Sequence, residues 1–427
     1  MTNIVYPGMV SGTLQANASK SAMQRACAAA LVAGGETHIT SPGNSNDDRA
    51  ALDIILKLGA EVQENTDGTF LIKSKGVHPA GSSISCGESG LSIRMFTPLA
   101  ALCSLPITIE GEGSLTVRPM DFFDEILPKL SVKVKSNGGR LPLMVQGPLQ
   151  PANIVVDGSL SSQFLTGLLL AFGAANAQDI TLTVTDLKSK PYIDLTLQIM
   201  QEFGLPVPQN KDYQHFYFPP NTHKPVVTRT FRVEGDWSGG SFLLVAAAIA
   251  GGEVTVEGLM NNSKQADKKI IDALLSAGAY VKVYEDKVTV RKDKLIGFDF
   301  DATDCPDLFP PLVALAALCK GSTRIRGLKR LKHKESDRGV TLQEEFDKLN
   351  VAIALEGDIM TIIGRGRVQV NNQRLNSHHD HRIAMAVAVA ALCGDFEVEI
   401  RNADAVNKSY PDFWDHLSLL GARVENL

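Results

Sequence analysis

The residues from Lys334 to Arg338 place two basic groups and two carboxylates directly before an apolar pattern with the spacing of one helix face. Ser336 or Asp337 is suited to be the N-cap of that helix, so Arg338 would lie in its first turn. A cation there opposes the helix dipole, and an anionic ligand held at the helix N-terminus would offset this cost. A solvated run of surface charge is the alternative. The apolar positions are Leu342, Phe346 and Leu349.

Further polar side chains stand at the starts of apolar, helix-like stretches. Asp307 precedes a double proline, where a carboxylate near a helix start is stabilised as an anion, and a plain capping role is equally consistent. The glycine at Gly90 lets a backbone amide approach a ligand, one turn before Arg94. The other residues at such positions are Lys20, Ser21, Arg25, Ser161, Ser162, Gln163 and Arg382.

Three basic residues share another placement, just before a proline that is predicted to begin a helix. They are Arg118, Lys190 and Lys408, and Lys334 occupies the equivalent point of its own stretch. Singly, each of them suits a solvated surface. Their recurrence favours a common face, because repeat architectures carry their site residues on one side.

Together these cations predict a site for a multiply charged small anion, or for two ligands that carry phosphate and carboxylate groups. Asp307 and Glu335 are then the candidates for proton transfer. There is no phosphate-binding loop of the Walker type and no strand-linked GxGxxG motif, so a nucleotide is not indicated. His378 and His379 match no familiar spacing of metal ligands, so no metal is expected.

The elements that must position these residues recur six times, with a period of about 70 residues. Each copy has an apolar helix, a turn, a strand with alternating side chains, and an amphipathic helix that ends in a phrase such as LGAEV at Leu58 or LGARV at Leu420. The apolar helices are apolar on nearly all sides, so they should be buried with only their polar first turns emerging. Six such N-termini pointing the same way would form an anion-binding surface.

The composition is that of an ordinary soluble protein, with 427 residues, 44% hydrophobic and 21% charged, and a net charge of −5. No global positive charge favours nucleic acid, and no apolar run reaches the roughly 18 residues of a membrane span. The six cysteines form no CxxC pattern, so buried free thiols are expected. Since the N-terminus lacks the pattern of a secretory signal, we expect a cytoplasmic protein.

No glycine- or proline-rich linker divides the chain. If the six copies split three and three, the boundary falls near Arg229 to Trp237, and the N-terminal strand from Asn3 to Met9 can pair with the second half. We therefore predict a discontinuous first domain of residues 1–14 and 235–427 and a second domain of residues 15–234. The cleft between the two domains is the expected ligand site.

In combination, the motifs resemble those of the 5-enolpyruvylshikimate-3-phosphate synthases, within the enolpyruvyl transferase family, and they cover the whole chain. The resemblance implies an α/β fold of two similar domains, each with three βαβαββ units and buried helices, an inside-out α/β barrel. It implies phosphoenolpyruvate and shikimate 3-phosphate as substrates and no cofactor, and we expect a monomer. The motifs are SKSAMQR at Ser19, RPM at Arg118, SSQF at Ser161, SKPYIDLTL at Ser189, VEGD at Val233, PD at Pro306, KESDR at Lys334, DHRIAM at Asp380 and KSYPDF at Lys408.

The resemblance further implies transfer of the enolpyruvyl group to the 5-hydroxyl of shikimate 3-phosphate, through a tetrahedral intermediate that loses phosphate. Asp307 would be the base at the hydroxyl and Glu335 the acid at C3 of phosphoenolpyruvate, with Lys20 as a third catalytic residue. The residues implied to hold shikimate 3-phosphate are Lys20, Ser21, Arg25, Ser161, Ser162, Gln163, Ser189, Tyr192, Asp307 and Lys334. Those implied to hold phosphoenolpyruvate are Lys20, Gly90, Arg118, Gln163, Arg338, Arg382 and Lys408.

Some residues depart from the family pattern. Leu91 and Met95 replace a threonine and a proline beside the phosphoenolpyruvate pocket, and Glu88 adds a negative charge there. Arg330 stands where the family usually has an asparagine, and Trp237 stands where it usually has a small residue.

Three other functions stay open. The related transferase that acts on UDP-N-acetylglucosamine carries a cysteine five residues before an Arg-Pro pair, and Gly113 occupies that position before Arg118 here. A catalytically silent binding protein of this fold would be expected to lack Asp307 or Glu335, and both are present. An RNA-processing relative with similar units would need a basic, aromatic surface, of which the sequence gives no sign.

Overall fold

The computed structural model describes residues 1–220, 226–332 and 334–427, so His333 of the charged stretch lies outside the described residues. The chain forms two compact units, unit 1 (Met1–Ser19 and Glu234–Leu427) and unit 2 (Lys20–Val233). The chain stays with unit 1 beyond residue 14 because the strand Gly12–Gln15 pairs in parallel with the strand Glu253–Glu257.

Three helices lie at the centre of each unit and contact one another there. In the helix Trp237–Ala250, every residue from Trp237 to Ile249 is buried. A helix that is apolar on all sides is stable only when it is covered on all sides, so the prediction of buried helices is confirmed. The central helices of unit 2 are Lys20–Ala33, Gly90–Ala100 and Ser162–Ala174, and those of unit 1 are Trp237–Ala250, Phe309–Leu318 and His381–Ala391.

The central helices of each unit are accompanied by three four-stranded sheets of mixed direction. In one copy, Ser83–Ser85 runs parallel to Ile107–Glu110, which is antiparallel to Leu143–Gln146, and Lys133–Lys135 forms the edge. With one helix after each of the first two strands, this order is the βαβαββ unit, and the predicted fold class is confirmed. The other sheets of unit 2, in spatial order, are Ile154–Asp157, Ile180–Thr185, His215–Phe218, Gln209–Lys211, and Thr228–Arg232, Gly35–Thr40, Phe70–Ser74, Glu61–Glu64.

The N-terminal strand completes a sheet of unit 1. Thr2–Val5 pairs antiparallel with both Val398–Arg401 and Val424–Asn426, as its predicted pairing with the second half requires. The sheets of unit 1, in spatial order, are Arg374–Asn376, Val398–Arg401, Thr2–Val5, Val424–Asn426, then Tyr280–Val283, Lys287–Arg291, Glu253–Glu257, Gly12–Gln15, then Asp299–Asp301, Lys320–Arg326, Ile359–Arg365, Ala352–Glu356.

The remaining α-helices are amphipathic, and one begins at the charged stretch. In Arg338–Asp347, the residue before the helix is Asp337, and Leu342 and Phe346 are fully buried, as predicted. The helices predicted to begin at Pro119 and Pro411 in fact begin two residues later. Arg118 instead follows a short 3-10 helix, and Lys408 ends another. The amphipathic helices are Asn46–Lys57, Asp121–Ile126, Lys190–Glu202, Ile270–Ala277, Arg338–Asp347 and Phe413–Leu419, and the 3-10 helices are Gly113–Val117, Leu127–Leu130, Ala266–Lys269, Pro306–Leu308, Leu328–Leu331 and Ala403–Lys408.

Among the helices of the described residues, none is long and apolar enough to cross a bilayer. Four of the six cysteines are buried as free thiols, as predicted, whereas Cys103 and Cys393 are partly exposed.

Candidate active site

The Arg338 side chain is the centre of a charged cluster in unit 1. It is fully buried and donates to Asp380 from Nε (2.9 Å), to Asp307 from Nη1 (2.9 Å) and to Glu335 from Nη2 (2.6 Å). Burial alone would lower the pKa of Arg338, but Asp380, Glu335 and Asp307 raise it above its ordinary value. A cation in the first turn opposes the helix dipole, and these carboxylates offset that cost. Arg338 and Glu335 of the charged run are therefore part of an ion-pair network within the protein.

Asp307 lies in the short 3-10 helix before Phe309–Leu318 and is surrounded by cations. One oxygen accepts from Lys334 Nζ (3.0 Å), and the other accepts from Arg382 (3.3 Å). Burial would raise the pKa of Asp307, but Arg382, Lys334 and Arg338 together hold it well below its usual range. Asp307 is consequently a weak base until an anion neutralises those cations, because binding of the anion would raise its pKa.

Asp380 connects the two helices that carry Arg338 and Arg382. Its side chain is fully buried, and it caps the helix His381–Ala391 by accepting from the Arg382 backbone N–H (3.0 Å). It also accepts from the Ser336 hydroxyl (3.1 Å), so Ser336 contacts this neighbouring helix while Asp337 occupies the N-cap position of its own. Lys408 lies close by, since its Nζ donates to the His379 carbonyl (3.3 Å). The site prediction omitted Asp380, although its motif DHRIAM contains it.

In unit 2, the helix Lys20–Ala33 carries two cations with different surroundings. Lys20 Nζ lies 2.9 Å from Asp47, a buried carboxylate that the site prediction also omitted. Arg25 is buried, and its hydrogen bonds go to neutral groups: Thr196 Oγ1 (3.0 Å), the Ser21 carbonyl (2.8 Å) and the Tyr192 carbonyl (3.5 Å). Burial lowers the pKa of Arg25 to about 10, so it stays a cation at neutral pH. A buried cation among neutral partners is suited to an anionic ligand.

Gly90 begins the second central helix of unit 2, and two arginines approach it. A β-carbon at Gly90 would lie 2.6 Å from Arg118 Nη1 and 3.2 Å from Arg94 Nη1, so the glycine leaves room for both guanidinium groups at the helix start. Arg94 Nη1 donates to Gln163 Oε1 (2.8 Å), which adds the third central helix of this unit to the cluster. Two cations at a helix N-terminus form an anion-binding arrangement.

Gln24 connects this helix start to the helix that carries Lys20 and Arg25. Its Oε1 accepts from the hydroxyls of Ser89 (3.1 Å) and Ser92 (3.0 Å), and all three side chains are buried. Ser89 is also the N-cap of the Gly90 helix, because its hydroxyl accepts from the Ser92 backbone N–H (3.2 Å). Gln24 therefore connects the start of the Gly90 helix to the helix Lys20–Ala33, and no local motif singles it out.

The remaining predicted residues of unit 2 lie at the starts of two helices. Ser161 is the N-cap of the helix Ser162–Ala174, and its hydroxyl accepts from the Gln163 backbone N–H (3.2 Å). Ser189 precedes the helix Lys190–Glu202 in a left-handed conformation, with φ of 55°. Within each unit, the structure thus places the predicted residues at helix starts and in the loops beside them.

Asp48, the buried neighbour of Asp47, leads to a prediction about stability and pH. Burial raises the pKa of Asp48 to about 7, whereas an unfolded aspartate ionises near 4. Between those values the unfolded chain loses its proton first, so the unfolding free energy should fall as the pH rises from about 4 to about 7. In Asp48→Asn, the unfolding free energy relative to wild type should rise by at least about 1 kcal/mol between pH 5 and pH 7, measured by urea denaturation. Asp53→Asn, a change at a partly exposed side chain on the same helix, is the control. Parallel curves for Asp48→Asn and wild type would contradict the prediction.

Among the described residues, no group of three or more His, Cys, Asp or Glu side chains is arranged to hold a metal ion. His378 and His379 make other contacts. His378 Nε2 lies 2.7 Å from Glu345, and the carbonyl of His379 accepts from Lys408.

Comparison with known proteins shows which family the chain resembles. The family model described as EPSP synthase (3-phosphoshikimate 1-carboxyvinyltransferase) matches residues 5–417. The 3-phosphoshikimate 1-carboxyvinyltransferase of Aeropyrum pernix is 37% identical, with 99% of this chain and 96% of that protein covered. The enzyme of the same name from Clostridium novyi is 34% identical, with 100% of this chain and 99% of that protein covered.

Solved structures show the same fold. An EPSP synthase from Acinetobacter baumannii superposes with a TM-score of 0.80 at 24% identity, and the superposition covers 100% of both chains. The enolpyruvyl transferase NikO from Streptomyces tendae superposes with a TM-score of 0.78 at 16% identity over 99% of this chain and 98% of that one. Because the family model and the relatives span nearly the whole chain, the protein belongs to the EPSP synthase (3-phosphoshikimate 1-carboxyvinyltransferase) family.

Proposed function

We propose that this protein transfers the enolpyruvyl group of phosphoenolpyruvate to the 5-hydroxyl of shikimate 3-phosphate and releases phosphate. The observation that carries the proposal is the arrangement around Arg338, which holds Asp307 and Glu335 within hydrogen-bonding distance of one guanidinium. Two carboxylates fixed in this way, with Lys334 and Arg382 beside them, combine proton transfer with stabilisation of anions.

The proposed reaction has an addition step and an elimination step. The 5-hydroxyl oxygen attacks C2 of phosphoenolpyruvate and gives its proton to Asp307, while Glu335 gives a proton to C3. In the tetrahedral intermediate that results, C3 returns a proton to Glu335, the C2–O bond to phosphate breaks, and the leaving phosphate takes the proton from Asp307. Binding of the anionic substrates beside Lys334, Arg338 and Arg382 raises the pKa of Asp307, so the base becomes active when its substrates are present.

We propose that the cationic residues of both units act on this pair of substrates. Arg25, buried among neutral partners, binds an anionic group of shikimate 3-phosphate. Arg118, at the Gly90 helix start, binds phosphoenolpyruvate, and the phosphate that develops charge as it leaves is stabilised by such fixed cations. The other proposed contacts of shikimate 3-phosphate are Lys20, Ser21, Ser161, Ser162, Gln163, Ser189, Tyr192, Asp307 and Lys334, and those of phosphoenolpyruvate are Lys20, Gly90, Gln163, Arg338, Arg382 and Lys408.

The geometry at Gly113 disfavours the related activity on UDP-N-acetylglucosamine. Gly113 has φ of 52°, a left-handed conformation that side chains rarely adopt. A β-carbon there would collide with the Glu88 carboxylate, which also accepts from the Ser114 backbone N–H (3.4 Å). A cysteine at this position would therefore strain the backbone and displace Glu88.

A phosphate-release assay tests the proposed function. Purified protein should release phosphate from phosphoenolpyruvate when shikimate 3-phosphate is present, and not when either substrate is omitted. Release that depends on UDP-N-acetylglucosamine instead would overturn the assignment. No release with either acceptor, from protein that binds both substrates in calorimetry, would support a silent binding protein of the same fold.

We further propose that the protein acts as a cytoplasmic monomer. No residue of the proposed reaction has to come from a second copy of the chain. Light scattering of the purified protein should give a mass near 45.9 kDa, and cell fractionation should recover the activity in the soluble fraction.

A further inference from the structure

Glu345 is a buried carboxylate outside the reacting groups, on the helix that begins with Arg338. It lies two turns after Arg338, and its side chain is 1% exposed. A buried carboxylate is costly unless charges and hydrogen bonds compensate it, so its partners indicate what it does.

The partners of Glu345 come mainly from one segment, Asn376 to Asp380. Its Oε2 accepts from the Asn376 backbone N–H (2.9 Å), and its Oε1 lies 2.7 Å from His378 Nε2. Lys348, the C-cap residue of the same helix, contacts both oxygens (2.7 and 2.9 Å). The carboxylate therefore ties this segment to the Arg338 helix.

The segment is strained and leads directly into the charged cluster. His378 and His379 have φ of 52° and 58°, left-handed values that non-glycine residues adopt only when their surroundings hold them. The next residue, Asp380, binds Arg338, and the carbonyl of His379 accepts from Lys408. The helix Arg338–Asp347 thus binds the segment at two points, through Arg338 in its first turn and through Glu345 two turns later.

We propose that Glu345 is a positioning residue for phosphoenolpyruvate: it holds the segment Asn376–Asp380 so that Arg382 and Lys408 meet that substrate. The identity of the ligand in this inference rests on the proposed function. The attachment of the segment Asn376–Asp380 to Glu345, which we call the clamp, does not. Loss of the clamp lets the strained segment relax and moves both cations, whereas Arg25 and the other residues of unit 2 keep their places.

The kinetic test compares Glu345→Gln with Glu344→Gln, an exposed neighbour on the same helix. Glutamine preserves the shape but removes the charge that holds His378 and Lys348. We expect the KM for phosphoenolpyruvate to rise roughly 10-fold or more, because small displacements of positioning groups have effects of this size, while the KM for shikimate 3-phosphate stays within about twofold. The control should leave both values unchanged. Equal rises in the two KM values, or none, would overturn the proposal.

Hydrogen exchange tests the clamp without relying on activity. In Glu345→Gln, the backbone amides of Asn376 to Arg382 should exchange several-fold faster than in wild type and in Glu344→Gln. His378→Ala, a change at a partly exposed side chain, should produce the same pattern to a smaller extent and serves if the Glu345 variant does not fold. Unchanged exchange in both variants would overturn the clamp. If wild type shows no dependence on shikimate 3-phosphate, the proposed function fails while the exchange result still decides the clamp.

Discussion

Replacing Glu335 by glutamine is expected to lower kcat by roughly 10²-fold or more, the size of effect that general acid–base groups produce. The amide has the shape of the carboxylate and can still accept from Arg338, whose Nη2 lies 2.6 Å from Glu335, so the cluster keeps its geometry. It cannot give a proton to C3 of phosphoenolpyruvate. The KM values of both substrates should therefore change only a few-fold, as measured by steady-state phosphate release.

Asp337→Asn is the matched control for this prediction, because Asp337 is an exposed carboxylate two residues further along the chain. It should leave kcat near the wild-type value. If Glu335→Gln also turns over at nearly the normal rate, Glu335 has no part in proton transfer and Asp307 would have to act alone.

Replacing Arg338 by methionine should have the largest effect on stability. Arg338 is the shared partner of Asp307, Glu335 and Asp380, and its removal leaves these carboxylates clustered without their common cation. Breaking a buried ion pair from one side typically costs about 3–5 kcal/mol. We expect a loss of that order in the unfolding free energy, measured by urea denaturation, together with loss of detectable turnover.

Two further variants serve as comparisons for Arg338→Met. Arg338→Lys keeps the charge but cannot span three carboxylates, so its stability should lie between those of wild type and Arg338→Met. Arg374→Met removes an arginine with a 70% exposed side chain, and it should change the unfolding free energy by less than about 1 kcal/mol. A similarly small loss for Arg338→Met would mean that the three carboxylates do not need their common cation.

Much of the fold could be predicted because the signals are periodic and local. The helix Trp237–Ala250 is apolar on every face, which leaves burial as its only stable environment. Helix starts were less certain where proline was the signal: the helix after Arg118 begins at Asp121, two residues beyond Pro119. Proline fixes its own backbone but does not require that a helix begin there.

The cations of the site could be found from the sequence, but some of their partners could not. Asp380 lies 42 residues from Arg338 along the chain, and Asp47 lies 27 residues from Lys20. Nothing local marks such pairs, since only the packing of separate helices brings them together. Gln24 and Glu345 were missed for the same reason: the groups that they fix belong to other elements.

The caps of the central helices differ between the two units, and the difference has an electrostatic consequence. Ser89 and Ser161 cap helices of unit 2 with neutral hydroxyls, whereas Asp236 and Asp380 cap helices of unit 1 with carboxylates. A hydroxyl cap leaves the positive field of the helix available to an incoming anion, and a carboxylate cap neutralises it. A change of one capping residue from serine to aspartate therefore changes the field that a helix N-terminus presents to a ligand, even where the backbone of the helix stays the same.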